Sequence, residues 1–431
     1  MAKRKKKHRV RIGRLLFVLL LVLLVAAAIV FGMERLYAKL LAEPEDPAAA
    51  QEPVAEEPQE PAFPEPVTID IRCIGDLMAH QTQLNSAQVG SGDEYNFDKW
   101  FPAVKPYLGD AADLMLANVE TTFKGEPPYT GYPDFNTPDA YADTIMDYLG
   151  VDLACFANNH MLDGGYNRLM RGVQYFRDHG VTTTGARFEG EERWTIREVK
   201  GVNVGIVNYC FETPQNGGRR TLQAGILNDT NLYAINHFGY EDLEGDLAGI
   251  RDEMAQCRAA GADIVLAYFH WGEEYQNSAN SYQRRIAEYL ANNGADVVFG
   301  SHPHVVQEMD VFTVDDGRGG TKTVPVYYSL GNFISNQRRE TLDNKYTENG
   351  MIAVVELTWS FEEERISDTK YGFIPTWVDR YKSNAGWEYC VVPLVDQFEK
   401  TECFASSGHL ESAKAALDYL KQLVGEDYLW K

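Results

Sequence analysis

Two observations predict an α/β fold for this chain. Apolar runs without polar alternation recur between helix-length segments, the pattern of strands covered on both faces. Most of those runs end in a cluster of Asp, Glu, Asn or His, and strand ends are where open α/β sheets place their ligands. A third observation adds an element in front of the fold. Residues 15–33 carry no charged side chain and follow eight Lys or Arg residues packed into 1–14.

Length and composition suit a large core. The chain has 431 residues, 45% of them apolar and 24% charged. Its formal net charge of -23 argues against nucleic acid as a partner, because phosphate backbones would be repelled. Setting aside the eight cations near the start, the remainder stands at -31.

An apolar run of about 18 residues is long enough to cross a bilayer. The basic flank holds its end in the cytoplasm, so everything after Met33 is expected outside the cell membrane. A cleaved signal peptide is the rival reading, but Phe31-Gly32-Met33-Glu34 offers no small-x-small cleavage site. The expected order is a basic cytoplasmic segment (1–14), a single-pass transmembrane signal anchor (15–33) and a Glu/Pro/Ala-rich tether (34–66) that cannot bury a core.

The folded part begins near Val67. Thr68 to Ile74 alternates as a half-buried strand does and runs into Gly75-Asp76-Leu77-Met78-Ala79-His80. Four cassettes follow, each a small turn with Asp, an apolar run and a polar cluster. Leu114 to Ala117 leads to Asn118-Val119-Glu120, and Leu153 to Ala157 leads to Asn158-Asn159-His160. Ile264 to Phe269 leads to His270-Trp271-Gly272-Glu273-Glu274, and Val297 to Phe299 leads to Gly300-Ser301-His302-Pro303-His304. Another strand is expected over 201–209 and one more entering the turn at Gly331-Asn332-Phe333. Strands over 350–359, 370–378 and 388–394, then an amphipathic helix over 410–424, are expected to complete one domain, with 341–431 closing what 67–340 begins.

The six cysteines add little. Cys73, Cys155 and Cys210 lie inside apolar runs; Cys390 and Cys403 can pair only in an oxidising compartment. No C-x-x-C occurs, which argues against a thiolate zinc site.

Imidazole mixed with carboxylate suits zinc, iron, manganese or nickel more than calcium. Taken alone, His302-Pro303-His304 reads as an ordinary pair of loop histidines. Five strand ends bearing ligand-type residues in sequence order point instead to a two-metal centre. Such a centre needs a bridging carboxylate and ions about 4 Å apart, and hydrolysis of a phosphoester is its natural reaction.

These residues resemble a known family. Gly75-Asp76, Ala117-Asn118-Val119-Glu120, Phe135-Asn136-Thr137-Pro138, Ala157-Asn158-Asn159-His160 with Asp163, His270-Trp271-Gly272 with Glu274, Ser301-His302-Pro303-His304 and Tyr328-Ser329-Leu330-Gly331-Asn332-Phe333 are similar to the CapA/PgsA-type poly-γ-glutamate capsule biosynthesis family over roughly 68–340. The resemblance implies a four-layer αββα sandwich like the calcineurin-type metallophosphoesterases, with two divalent ions (manganese, iron or zinc) at its rim. By that resemblance Asp76 and His304 serve the first metal, Asn159, His270 and His302 the second, and Glu120 bridges. His160 takes the leaving-group position, with Asp163 beside it. Asn118, Asn136, Glu274 and Asn332 are left for substrate or for holding the ligands.

Two departures stand out. Phosphoesterases of this type carry D-x-H in the first motif, whereas position 78 is Met, leaving His80 to substitute if its loop curls back. Asn118 and Glu120 stand where those enzymes bridge their metals through Asp. The function so implied is a membrane-anchored, extracellular, metal-dependent hydrolase acting on an anionic envelope polymer or phosphoester, alongside membrane-bound polymer synthase subunits. The alternative is a non-catalytic export or assembly component. Trp271 and Tyr275 fit a substrate groove and core packing equally; Arg219-Arg220 and Arg338-Arg339 fit anion contact or solvated charge. Ser329 lacks the G-x-S-x-G context of a serine hydrolase.

Overall fold

A computed structural model describes residues 12–40, 63–223, 225–395 and 397–430. Most of the basic segment expected over 1–14, and of the tether expected over 34–66, lies outside the described residues. The chain divides into two compact units, Met1–Pro61 and Ala62–Lys431. The first carries one helix, Ile12–Leu40, along which Leu24, Ile29, Phe31 and Met33 are exposed. Among the described residues no helix is long and apolar enough to cross a membrane. The anchor expected over 15–33 is therefore taken up below as a proposal.

In the second unit the chain builds one sheet, crosses to another and returns. It starts with β1 (Val67–Leu77), β2 (Leu114–Asn118), β3 (Leu153–Cys155) and β4 (Thr182–Thr184), each parallel to the next. The second sheet opens with the hairpin of β5 (Trp194–Val199) and β6 (Val202–Phe211). A small three-stranded excursion follows: β7 (Thr213–Asn216), β8 (Arg219–Leu222) and β9 (Gly225–Ile226). This lies in a polar stretch without the apolar pattern of a strand. β10 (His237–Phe238), β11 (Ile264–His270), β12 (Val297–Ser301), β13 (Met309–Asp315) and β14 (Thr321–Tyr327) complete the second sheet. The return runs through β15 (Asn332–Ile334), β16 (Asn349–Ser360), β17 (Arg365–Ser383) and β18 (Gly386–Pro393). The sheet orders are β18-β17-β16-β1-β2-β3-β4, with β15 on β1, and β10-β6-β11-β12-β14-β13, with β5 on β6.

The two sheets face each other. Ile69, Ile71, Leu114, Leu116 and Leu153 of the first share one buried cluster with Val204, Ile206, Leu266, Val297 and Phe299 of the second. The intervening residues point the other way and meet helices. Met115 and Ala154 join a cluster with Val173 and Phe176 of helix Tyr166–Asp178. Val265 and Val298 join Ile250 and Leu290 of helices Leu243–Ala259 and Ser281–Asn292. Period-two alternation thus survives inside runs that look uniformly apolar, because both faces of each strand are buried. The closing helix, Leu410–Val424, adds Ala413, Leu420 and Val424 to the inter-sheet core.

This arrangement brings the carboxyl ends of β1, β2, β3, β11 and β12 together. Glycine is required at two of the approaches. A Cβ at Gly75 would stand 2.0 Å from the Gly331 carbonyl oxygen, and one at Gly300 would stand 2.3 Å from that of Tyr328. With Gly75 bare, β15 lies beside β1 and Asn332 pairs with Asp76.

Leu266 is fully buried in the middle of β11, within the inter-sheet core. Leu266→Ala is expected to cost about 2–5 kcal/mol of folding stability. Denaturant unfolding should show a lower midpoint with an unchanged slope.

Candidate metal centre

The site is built from strand ends outward. Asp76 closes β1 and is fully buried; its Oδ1 accepts from the Asn118 amide at 2.8 Å and its Oδ2 from His304 Nδ1 at 3.0 Å. Glu120, two residues past the end of β2, is equally buried, and its Oε2 accepts from the same Asn118 amide at 3.2 Å. Its Oε1 has no hydrogen-bond partner and lies 3.8 Å from His304 Nε2. Two carboxylates thus share one dry pocket. Burial alone would raise Asp76, but the His304 and Asn118 contacts override it and hold this carboxyl below its usual range. Burial, with the Asp76 carboxylate next, drives Glu120 well above its own. Two carboxylates buried this close together resist being ionised at the same time.

The histidines stand around that pair. His304 Nδ1 has acceptors on two sides, Asp76 Oδ2 and Asn332 Oδ1 at 3.1 Å, so it carries a proton, and Nε2 is turned toward Glu120. His270 at the end of β11 gives Nε2–H to Asn159 Oδ1 at 2.8 Å, and its Nδ1 meets the Ser301 hydroxyl at 3.0 Å. Burial and the neighbouring His302 pull His270 well below the usual imidazole range. His302 is pulled down to about 3 by burial and then by His304, and its Nδ1 has no partner. His302 and His304 have φ of 100° and 56°, in the left-handed region that side chains avoid. Such backbone costs about 1–3 kcal/mol per residue and persists where the surroundings impose it.

Two groups of potential ligands emerge, each with its ligand atoms within 4.8 Å of one another: Asp76, Glu120 and His270, and Glu274, His302 and His304. The partition differs from that implied by the resemblance. His304 stands with His302 rather than completing a site with Asp76, because Asp76 is engaged in orienting the His304 ring. His270 stands with the carboxylates. Glu274, exposed at the rim, joins the two histidines as a possible ligand. Asn159 meets His270 through its oxygen, while its Nδ2 has no partner.

The remaining expected residues have definite places. His80 lies outside both groups. Its Nδ1 sits 3.2 Å from both Gln83 Oε1 and the Asn336 N–H, where it helps to begin the helix Gln81–Ala87; burial pulls its pKa down to about 4. His160 gives Nδ1–H to Asp163 Oδ2 at 2.9 Å, leaving Nε2 free. The same Asp163 oxygen accepts from the Phe135 N–H at 2.9 Å, and the Phe135 ring stands edge-on to both His160 and His80. Asp163 is therefore an orienting group. Asn136 spends its amide on its own loop, accepting from the Lys124 N–H and donating to the Glu126 and Pro128 carbonyls. Asn118 and Asn332 hold ligands: the first spans both carboxylates, the second His304.

Trp271 is fully buried and gives its indole N–H to the Tyr328 carbonyl, which resolves it as core. Arg220 pairs with Glu212, and the buried Arg338 with Glu348 at 3.0 Å. All six cysteines are free, Cys390 and Cys403 included. Two contributors carried no sequence signal of their own. Ser301 fixes the His270 ring, and Phe211, the last residue of β6, packs 4.6 Å from the His302 ring.

A family model described as bacterial capsule synthesis protein PGA_cap matches residues 70–337. The chain is 25% identical over 258 residues to the capsule biosynthesis protein CapA of Bacillus anthracis, covering 57% of this chain and 56% of that one. It is 26% identical over 185 residues to the PGA biosynthesis protein CapA of Bacillus subtilis strain 168, covering 42% of each. The match thus spans about half the length of these curated relatives. Among solved structures, the calcineurin-like phosphoesterase YfkN from Bacillus subtilis is similar at 11% identity and a TM-score of 0.36, covering 83% of this chain and 100% of that one. On the family model, which takes in more than half of the sequence, this chain belongs to the bacterial capsule synthesis protein family.

Proposed function

We propose that the chain is a membrane-anchored, metal-dependent phosphoesterase-like protein of envelope polymer synthesis, working outside the cell beside membrane-bound synthase subunits on an anionic polymer of the poly-γ-glutamate type or on a phosphoester. One observation carries the metal part. Each of the two ligand groups contains a buried atom with a free lone pair and no partner, Glu120 Oε1 in one and His302 Nδ1 in the other, among carboxylates and imidazoles. That donor set fits divalent manganese, iron or zinc. Asp76, Glu120 and His270 would hold one ion, and Glu274, His302 and His304 the other. Ions bound there would supply Lewis acidity to a phosphoryl oxygen and acidify a water.

The protein's own residues do the rest. His160 keeps Nδ1–H on Asp163, and in its imidazolium form Nε2–H would hand a proton to a leaving oxygen, returning the ring to the neutral Nδ1–H tautomer. Phe135 walls the ring on one side and keeps water from it. Asn332 and Asp76 hold the His304 tautomer, and Ser301 and Asn159 hold that of His270. The anchor rests on the uncharged stretch 15–33, the basic residues before it and the exposed apolar side chains of helix Ile12–Leu40.

Three outcomes are expected. Elemental analysis of the purified chain should find divalent transition metal, and Glu120→Gln or His302→Ala should remove at least half of it. Metal below one ion per ten chains would end the metal reading. On an aryl phosphodiester, His160→Asn and Asp163→Asn should each lower kcat by about 10²–10⁴ with metal content unchanged. A variant that loses no activity removes that residue from the mechanism, and an occupied metal site with no turnover at all assigns the chain to export or assembly instead. Cell fractionation should find the chain in the membrane fraction with residues after 66 open to added protease; a chain recovered wholly in the soluble fraction refutes the anchor.

A further inference from the structure

A second polar cavity lies where the open edges of the two sheets meet. It has a volume of about 450 Å³ and lies along β4, the segment Gly185–Arg193 and the start of β5. Its wall includes two buried N–H groups that have no acceptor, Arg187 Nε and Trp194 Nε1, and one buried hydroxyl without a partner, Thr184 Oγ1, which can donate or accept. No carboxylate or carbonyl side-chain oxygen in that wall is left unmatched among the described residues. The imbalance runs one way, toward a missing acceptor.

The charges agree with this. Arg187 is 7% exposed and makes no ion pair among the described residues. Its Nη1 makes one long hydrogen bond, 3.4 Å to Asn236 Oδ1, and its guanidinium lies over the Tyr233 ring. Burial, and then Arg193 beside it, pull its pKa down, and the more distant Glu253 offsets this only in part. Arg193 stands 3.4 Å from Glu253, outside the wall, and Arg177 is matched by Glu191. Arg187 is thus the one arginine of the wall that has no carboxylate within ion-pair distance among the described residues. A buried guanidinium left unpaired is costly unless something supplies the charge.

We propose that this cavity is a second binding site, distinct from the metal centre, for a small oxyanion, a carboxylate or phosphate group, received by Arg187 and the Trp194 indole beside the Arg177–Glu191 pair. Carboxylate and phosphate share the chemistry the wall offers: acceptor oxygens only, with negative charge. The site abuts the metal-site loop. The Phe156 N–H donates to the Thr184 carbonyl at 2.9 Å, and a Cβ on Gly185 would stand 2.4 Å from the Ala157 nitrogen, one residue before Asn158-Asn159-His160. An anion seated there rests against the backbone that carries His160.

The test uses the full chain stripped of metal by a chelator, so that it does not depend on the metal reading. Glutarate and inorganic phosphate are titrated separately by calorimetry, with ionic strength held constant by chloride. Saturable binding of one molecule per chain is expected with at least one probe, and the tighter probe identifies the group. Arg187→Met should weaken binding at least tenfold, Arg187→Lys less, and His302→Ala not at all. Should Arg187→Met fail to fold, Arg177→Gln decides, since it leaves Glu191 unneutralised in the wall and should weaken binding about threefold or more. No saturable binding of either probe, equal binding in the Arg187 and Arg177 variants, or binding lost only in His302→Ala would each overturn the proposal.

Discussion

Two buried carboxylates, Asp76 and Glu120, are bridged by one amide, that of Asn118, and faced by one imidazole, that of His304. Most of the local architecture follows from keeping that pair together. Their opposite titration shifts describe a site that holds negative charge poorly without a cation. Burial keeps the His270 and His302 rings neutral, and hydrogen bonds fix the orientation of the His270 and His304 rings.

The sheets exist, from the point of view of this site, to aim five chain segments at one place. Parallel strands end at the same level, which brings Asp76, Asn118 and the loop after β3 into line. The second sheet contributes His270 and Ser301 in register with each other. The inter-sheet core fixes the separation of the two sets, and the bare Gly75 and Gly300 let the connecting loops close over them. The left-handed backbone at His302 and His304 is stabilised by the same packing, with Phe211 and the Asn332 contacts holding the two rings. The cavity behind β4 uses the same device at the sheet edges, where a crossing segment lines up donors rather than ligands.

The strands at 67–77, 114–118, 153–155, 264–270 and 297–301, and the closing helix Leu410–Val424, were legible because apolar runs bounded by Gly and Asp have few other uses. The small sheet at 213–226 was not legible. Its strands are short and polar and are held by neighbours instead of by their own pattern, as in the contact of Arg220 with Glu212. The ligand residues were legible as types at strand ends, but their partition was not. Nothing in the spacing indicates that Asp76 orients His304, that His270 stands with the carboxylates, or that Asn136 is absorbed by its own loop.

By itself the sequence determined the α/β class, the strand ends that carry the chemistry, and the family, because these depend on residue type and local order. Only the tertiary structure decided which nitrogen of each histidine faces inward, which residues hold rather than bind, and that Glu274 reaches the pair at His302 and His304. It also revealed the donors around Arg187 that lack acceptors. Those properties depend on distances set by tertiary packing, such as the 2.8 Å contact between Asn159 and His270, and local sequence order carries no record of them.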